Sequence, residues 1–378
     1  MTNLLHSPPV SDDTSARRAG RYRQVEWLRS NSERWSARSC LLALGASVSL
    51  AGTAEGVVHV GGVKRCGSPW ACPVCAPKIG ERRAVEIDQA ISAWLGMGGR
   101  VYFVTATLRH ELGDHLSDLL EMLQGAWSRT FRFGSGVTPP WYGGQARAVE
   151  ITHGGNGWHP HVHAAVFVEA GWEDQCPEVN DHDLDGGCVH HGSYDAVRQE
   201  LVDLGADWAE SVRLFGGYSA VAGGGPGWDV REVHEAGALS NYLTKVDGGW
   251  GAGLELARLD LKRGKGRTPF ALLAQAIADT GGARALFRIY ERATAGRNRI
   301  VISRGLMRRC AVELVSDDEA AVGEAPVDPV AVVSLSSSDW RGLLRAGFAA
   351  DLVRDVGDLA AGRSRLWPWP PDWLLVRP

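Results

Sequence analysis

No stretch of the 378 residues approaches the roughly 20 consecutive apolar positions that a membrane-spanning helix needs; the best, Cys40 to Gly52, is short and rich in Gly, Ala and Ser. The N-terminal stretch, from Met1 through Asp12 and Asp13 to Arg23, has no basic-then-apolar order of a secretory signal, so the expected location is the cytoplasm. There is no G-x-x-x-x-G-K-[ST] loop, which argues against an ATPase. No internal repeat is present. Excess positive charge is missing too: 40 Lys and Arg stand against 44 Asp and Glu, a formal net of -4, which at first sight speaks against binding nucleic acid. Cysteine is sparse and odd in number, seven in all, with three crowded at Cys66, Cys72 and Cys75. In a reducing compartment such crowding points to a metal site rather than to disulfides.

What is present is 44% hydrophobic residues, 47 Gly and 15 Trp, enough for one large core or two to three ordinary domains. Residues 1–35 are polar and Arg-rich and read as a flexible basic arm. Residues 36–98 form a Cys-rich zinc-binding module followed by a helix in which Ile79, Ala84, Ile87, Ile91, Trp94 and Leu95 recur at helical spacing. Residues 99–250 read as β-α-β-β-α-β-α: a strand at Val101–Leu108, a helix through Leu116 and Trp127, a hairpin from Ala146–Thr152 and His161–Val168, a helix through Val197 and Trp208, a short strand at Trp228–His234, and a last helical segment with Tyr242. Residues 251–310 are a basic, mainly helical region and 311–378 a helical tail ending in Trp and Pro. The expected fold class is α+β, an antiparallel-sheet domain with helices on one face, preceded by the Cys-rich module and followed by the basic region.

Chemistry concentrates in Trp158-His159-Pro160-His161-Val162-His163. On a strand, alternate side chains share a face, so His161 and His163 project together beside an apolar wall. A bare pair two residues apart is more often one packed and one solvated histidine, but this string is richer and favours metal ligation. Glu150, a carboxylate in the preceding strand, is the third candidate, with His159 and His153 as substitutes; an edge-strand solubility charge is its bland alternative. Imidazole and carboxylate with open positions suit Mg²⁺ or Mn²⁺ acting on a phosphate oxygen. Tyr242 and Lys245, three residues apart on one helix face, offer a nucleophile and a cation. On spacing alone, Tyr242 reads as a core aromatic.

Cys66-x5-Cys72-x2-Cys75 suits tetrahedral Zn²⁺, with His59, Cys40 and Cys310 as fourth ligand in that order. Cys176, His182, Cys188, His190 and His191 match no ligand pattern and read as a loop. Counted locally, residues 258–310 hold thirteen Lys and Arg against three acids, whereas 169–210 hold twelve acids against one Arg. Arg284, Arg288 and Arg292 recur every fourth residue on one helix stripe which, with Lys262, Arg263, Lys265 and Arg267, is expected to track DNA phosphates.

Phe103-Val104-Thr105-Ala106-Thr107-Leu108-Arg109-His110, the H-P-H-V-H string and the downstream Y-L-T-K resemble, in order, the three motifs of rolling-circle replication initiators of the HUH endonuclease superfamily. C-G-S-P-W-A-C-P-V-C-A, G-G-N-G-W-H-P-H-V-H, R-T-P-F-A-L-L and S-R-G-L-M resemble the actinobacterial plasmid members, over about Cys40 to Asp318. The resemblance implies that His161 and His163 bind metal and that Tyr242 nicks one strand at the plasmid origin, leaving a 5′-phosphotyrosine and a free 3′-OH primer, and later rejoins it. It implies origin DNA, single-stranded or extruded as a hairpin, and host helicase and replication machinery as partners. The chain departs from the pattern one turn before Tyr242, where Ala238 replaces a second Tyr or a Glu; Glu235 is the substitute for a water-activating base. The alternatives are an HUH transposase with a zinc module, a His/Glu metal-dependent hydrolase that predicts a dispensable Tyr242, and a non-catalytic zinc and DNA-binding regulator.

Overall fold

The computed structural model describes residues 13–132, 138–170, 193–217, 227–234 and 266–363. The Tyr242 segment and the 171–192 loop lie outside them.

A five-stranded antiparallel sheet in the order β6-β3-β5-β4-β7 forms the centre: β3 is Arg100–Thr107, β4 Tyr142–Gly154, β5 Gly157–Val168, β6 Trp228–Val233 and β7 Ile300–Ile302. The β4–β5 hairpin is longer than the alternation in the sequence suggests. Its strands continue to Gly154 and Gly157, so Trp158, His159 and Pro160 lie inside β5 rather than in a link. Gly157, at φ +85, comes so close to the 111–112 backbone that an added Cβ would lie 2.9 Å from the Glu111 carbonyl oxygen. A side chain there would push the turn off this loop.

Helices cover both faces of the sheet, not one. α4 (Leu116–Thr130), α5 (Ser193–Leu214), α6 (Pro269–Ile277) and α7 (Ala283–Ala293) pack on Val104, Ala106, Val162, Ala164 and Val166. α3 (Cys75–Gly96) places Ile87, Ile91 and Trp94 on Val101, Ala146, Ala165 and Phe167 of the opposite face. The reason is visible in β5, where residues 162–168 are buried without alternation. A strand apolar on both sides must be covered on both. Beyond the part that α3 covers, the same face carries His161 and His163.

A second sheet, β2-β1-β8, joins Ser47–Gly52 (β1) to Val58–Gly61 (β2) and to Ala331–Ser336 (β8). Two sequence expectations are corrected here. Residues 13–31 are not a flexible arm but a helix, α1, with Ala19, Tyr22, Val25 and Leu28 buried. Residues 311–363, expected as a helical tail, supply a strand as well and belong to a core: β8, α10 (Ser337–Ala346) and α11 (Ala349–Ala360) close around Val48, Leu50, Cys72 and Cys75. α1 and α11 bury their apolar stripes on each other in this core. Between them run the short helices α2 (Trp35–Arg38), α8 (Leu306–Arg309) and α9 (Asp317–Val322).

Glu86 fastens this second core to α3. Its buried carboxylate accepts from Arg82 at 2.9 Å, Arg83 at 2.5 Å and the Val315 amide at 3.2 Å, and Arg83 continues to Asp317 at 2.7 Å. Without the Glu86 carboxylate Arg83 keeps Asp317, but the Val315 amide loses its acceptor and the packing of α3 its anchor. Glu86→Ala is therefore expected to lower unfolding free energy by about 1–3 kcal/mol in urea titration; a midpoint equal to wild type would show that the network contributes nothing.

Candidate metal centres and DNA face

Pairing on β5 sets the geometry. Glu150 of β4 lies directly opposite His161, and Thr105 of β3 directly opposite His163, so both partners share the histidine face. Glu150 Oε2 is 3.2 Å from His161 Nε2 and 3.5 Å from His163 Nε2. Adjacent ligands on an octahedral ion with bonds of roughly 2.1 Å sit about 3.0 Å apart, so the three groups converge as metal ligands would. Thr105 Oγ1 lies 3.1 Å from His163 Nδ1, which fixes the ring and directs Nε2 toward Glu150. Phe103 stacks on the same imidazole at 5.4 Å. His161 Nδ1, the ring nitrogen turned away from Glu150, is buried with no hydrogen-bond partner among the described residues, a place for an ordered water. Burial alone would raise the Glu150 carboxyl, but its hydrogen bonds to His161 and His163 hold it well below the usual carboxylate range. Burial lowers the His163 imidazole, against the opposing pull of Glu150. The carboxylate thus stays ionised and His163 tends to the neutral form, the states that ligation requires.

The two substitute ligands are engaged elsewhere. His159 Nδ1 is 2.7 Å from His110 Nε2, whose Nδ1 in turn faces the Asn156 carbonyl at 2.9 Å. Burial, then the His161 and His110 charges, bring His159 down to about 4. His153 points to the other side of the sheet, where it meets Trp158 and Arg267.

Four cysteines, not three, form the second centre. Cys40 Sγ lies 3.6 Å from Cys72 and 3.7 Å from Cys75, and Cys66 lies 3.7 Å from Cys75. A tetrahedron with metal–sulfur bonds of about 2.3 Å has edges of roughly 3.8 Å, whereas a disulfide would need about 2.05 Å. The donor set fits a tetrahedral ion. His59 is not part of the group, and Cys310 is buried in the separate cluster around Trp94. Cys40 arrives through a pairing of 41–44 with 62–64, closed by Leu41 N–H to Lys64 O at 2.8 Å and Lys64 N–H to Leu42 O at 2.7 Å. Leu41 takes a positive φ of 67, unusual for a branched side chain, and the buried Trp340 indole donates to its carbonyl at 2.8 Å. Hydrogen bonds from Cys40, Cys66 and Cys72 hold the Cys75 thiol well below its ordinary range, while burial pushes Cys72 up.

On α7, Arg284, Arg288 and Arg292 share an exposed face. Two of them already have partners: Arg292 grips Glu33 at 2.5 Å, and Arg284 lies 3.6 Å from Asp279 and 5.7 Å from the Trp27 ring. The sequence count of acids in this region missed Glu33 because it lies far away in the chain. Arg267 is committed to Gln275 at 3.0 Å and His153 at 2.9 Å, which makes it a structural clamp rather than a free phosphate ligand. Tyr242, Lys245, Glu235, Lys262, Arg263 and Lys265 lie outside the described residues.

"Protein rep" of Streptomyces lividans is 30% identical over 379 aligned residues, covering 84% of this chain and 79% of that protein. The chain belongs to the Rep family of actinobacterial plasmids. A "Neomycin resistance protein" of Streptomyces cyanogenus is 38% identical to this Rep chain over 158 residues, 34% of it and 36% of the relative. No family model and no solved structure matches. Among the described residues, no helix of this Rep is long and apolar enough to cross a membrane.

Proposed function

We propose that this Rep initiates rolling-circle replication of a plasmid as an HUH-type nickase. The observation that carries the reading is the convergence of Glu150, His161 and His163 on two paired strands, in a chain 30% identical to a protein named rep. A divalent ion, Mg²⁺ or Mn²⁺, held by these three groups would polarise a non-bridging phosphate oxygen. Thr105 keeps His163 in the ligating orientation, and the β3–β5–β4 ladder keeps the three ligands in register.

Tyr242 is the nucleophile. Its phenolic oxygen bonds to phosphorus as the bond to the 3′ oxygen breaks, and the departing oxygen takes a proton to become the free 3′-OH. The new ester retains the energy of the old one, so reversal rejoins the strand without nucleotide hydrolysis, in keeping with the missing P-loop. Lys245, three residues on, favours the phenolate, whose ordinary pKa near 10 would otherwise leave it protonated. Glu235 is assigned to termination. The tetrathiolate takes zinc and, being buried in the core that joins both terminal segments, acts structurally.

The test is nicking of supercoiled plasmid bearing the cognate origin by wild-type and Glu150→Ala protein over a Mn²⁺ titration. The substitution is expected to lower metal affinity by more than the roughly 10–100-fold cost of losing an outer partner. Equal nicking at equal Mn²⁺ would remove Glu150 from the site.

A further inference from the structure

Trp35 is 70% exposed, an unusual place for an indole, and it stands on a rigid support. Ser32 donates to the buried Glu291 carboxylate at 2.6 Å, Arg34 donates through Nε to the Glu291 carbonyl at 3.0 Å and through Nη2 to Thr294 Oγ1 at 3.0 Å, and Arg292 holds Glu33 through Nε and Nη2 at 2.5 Å. The turn before Trp35 is thus riveted to α7, and the exposed Arg38 follows one turn later. Beyond α7 the chain passes Arg297 and Arg299 into β7. There the Arg299 carbonyl accepts from the amide of Val149, the residue before Glu150. The Arg299 guanidinium lies 6.0 Å from the Trp70 ring. A presented indole thus stands beside an arginine-bearing helix that packs on the sheet face opposite the histidines, and β7 ties that helix to the strand of Glu150.

Fixed aromatic faces beside guanidinium groups suit single-stranded nucleic acid, because every base offers a face for stacking and its phosphates run past the cations. Duplex DNA hides its bases and would use only the charges. We propose that Trp35 is a stacking platform for single-stranded DNA, with Arg38 and Arg288 engaging the flanking phosphates. The proposal rests on the nickase reading, since unwinding at the nick supplies the single strand.

The experiment is equilibrium binding of a fluorescent oligothymidylate of about 20 nucleotides, longer than the site of one module, and of a duplex of equal length, to wild type, Trp35→Ala, Trp35→Phe and Arg288→Ala. Trp35→Ala is expected to weaken single-strand binding roughly tenfold and to leave duplex binding unchanged, with Trp35→Phe recovering most of the loss. Arg288→Ala should weaken both and reduce the salt slope by about 1. Unchanged single-strand affinity in Trp35→Ala, or an equal loss on both DNA forms, overturns the platform while leaving the nickase reading intact. Wild-type protein that binds neither DNA overturns both.

Discussion

Tyr242→Phe protein, incubated with origin plasmid and Mn²⁺, is expected to form no covalent DNA adduct at all. The substitution removes one oxygen, which in the proposed mechanism is the atom that bonds to phosphorus. Origin binding and metal affinity should stay close to wild type, because Glu150, His161 and His163 are held by strand pairing that does not involve Tyr242. The combination of intact binding with absent adduct separates a nucleophile from a core aromatic, whose loss would lower both. A surviving adduct in Tyr242→Phe would assign the attack to another residue. Unchanged nicking without any adduct in either protein would favour the metal-dependent hydrolase.

The second large effect is expected at Cys40. Removing one of four thiolates from a closed tetrahedral site exposes the ion to exchange, and the apparent binding energy of structural zinc, about 10–16 kcal/mol in small modules, is also folding energy. Cys40→Ala protein should carry well under one zinc per chain after dialysis and unfold at markedly lower denaturant. His59→Ala and Cys310→Ala should both keep a full equivalent, since His59 is outside the sulfur group and Cys310 is packed in the other core. Full zinc retention in Cys40→Ala, with loss in His59→Ala, would reverse the assignment. The effect should extend to the C-terminal segment, because Trp340 holds the Leu41 carbonyl and α11 packs in the same core as Cys72 and Cys75.

The histidine site was legible because its logic is local. Alternation along one strand put His161 and His163 on one face, and a short hairpin put Glu150 opposite. Thr105 escaped notice because its role depends on β3 pairing with β5 across a helix and a hairpin, and nothing in a threonine within an apolar strand marks it. The same distance effect left Cys40 ranked behind His59 as fourth ligand: the 25 residues between it and Cys66 follow no metal-binding spacing, and only the 41–44 to 62–64 pairing closes the gap. Residues 13–31 were misread because an arginine-rich helix with a narrow stripe at Ala19, Tyr22, Val25 and Leu28 resembles a solvated arm until its partner, α11, is known. Helices on one face were expected because hairpin sheets commonly keep one face wet, yet the continuous apolar run in β5 already demanded two covers.

The net charge of -4 gave the least guidance, since it adds a basic stretch at 258–310 to an acidic one at 169–210. The structure refines even the local count, because Arg292 meets Glu33 and Arg267 meets His153 and Gln275. Arg288 remains an exposed member of the α7 stripe, and long-range attraction to phosphate falls steeply with salt.

The most direct measurement is chemical: supercoiled origin plasmid is treated with the protein and Mn²⁺, the DNA is denatured, and the ends at the nick are mapped before and after protease. The account predicts one strand cut at one position, a 3′-OH that a polymerase extends, and a 5′ end blocked by a peptide attached through Tyr242. A cut strand with a free 5′-phosphate and no attached peptide would contradict it.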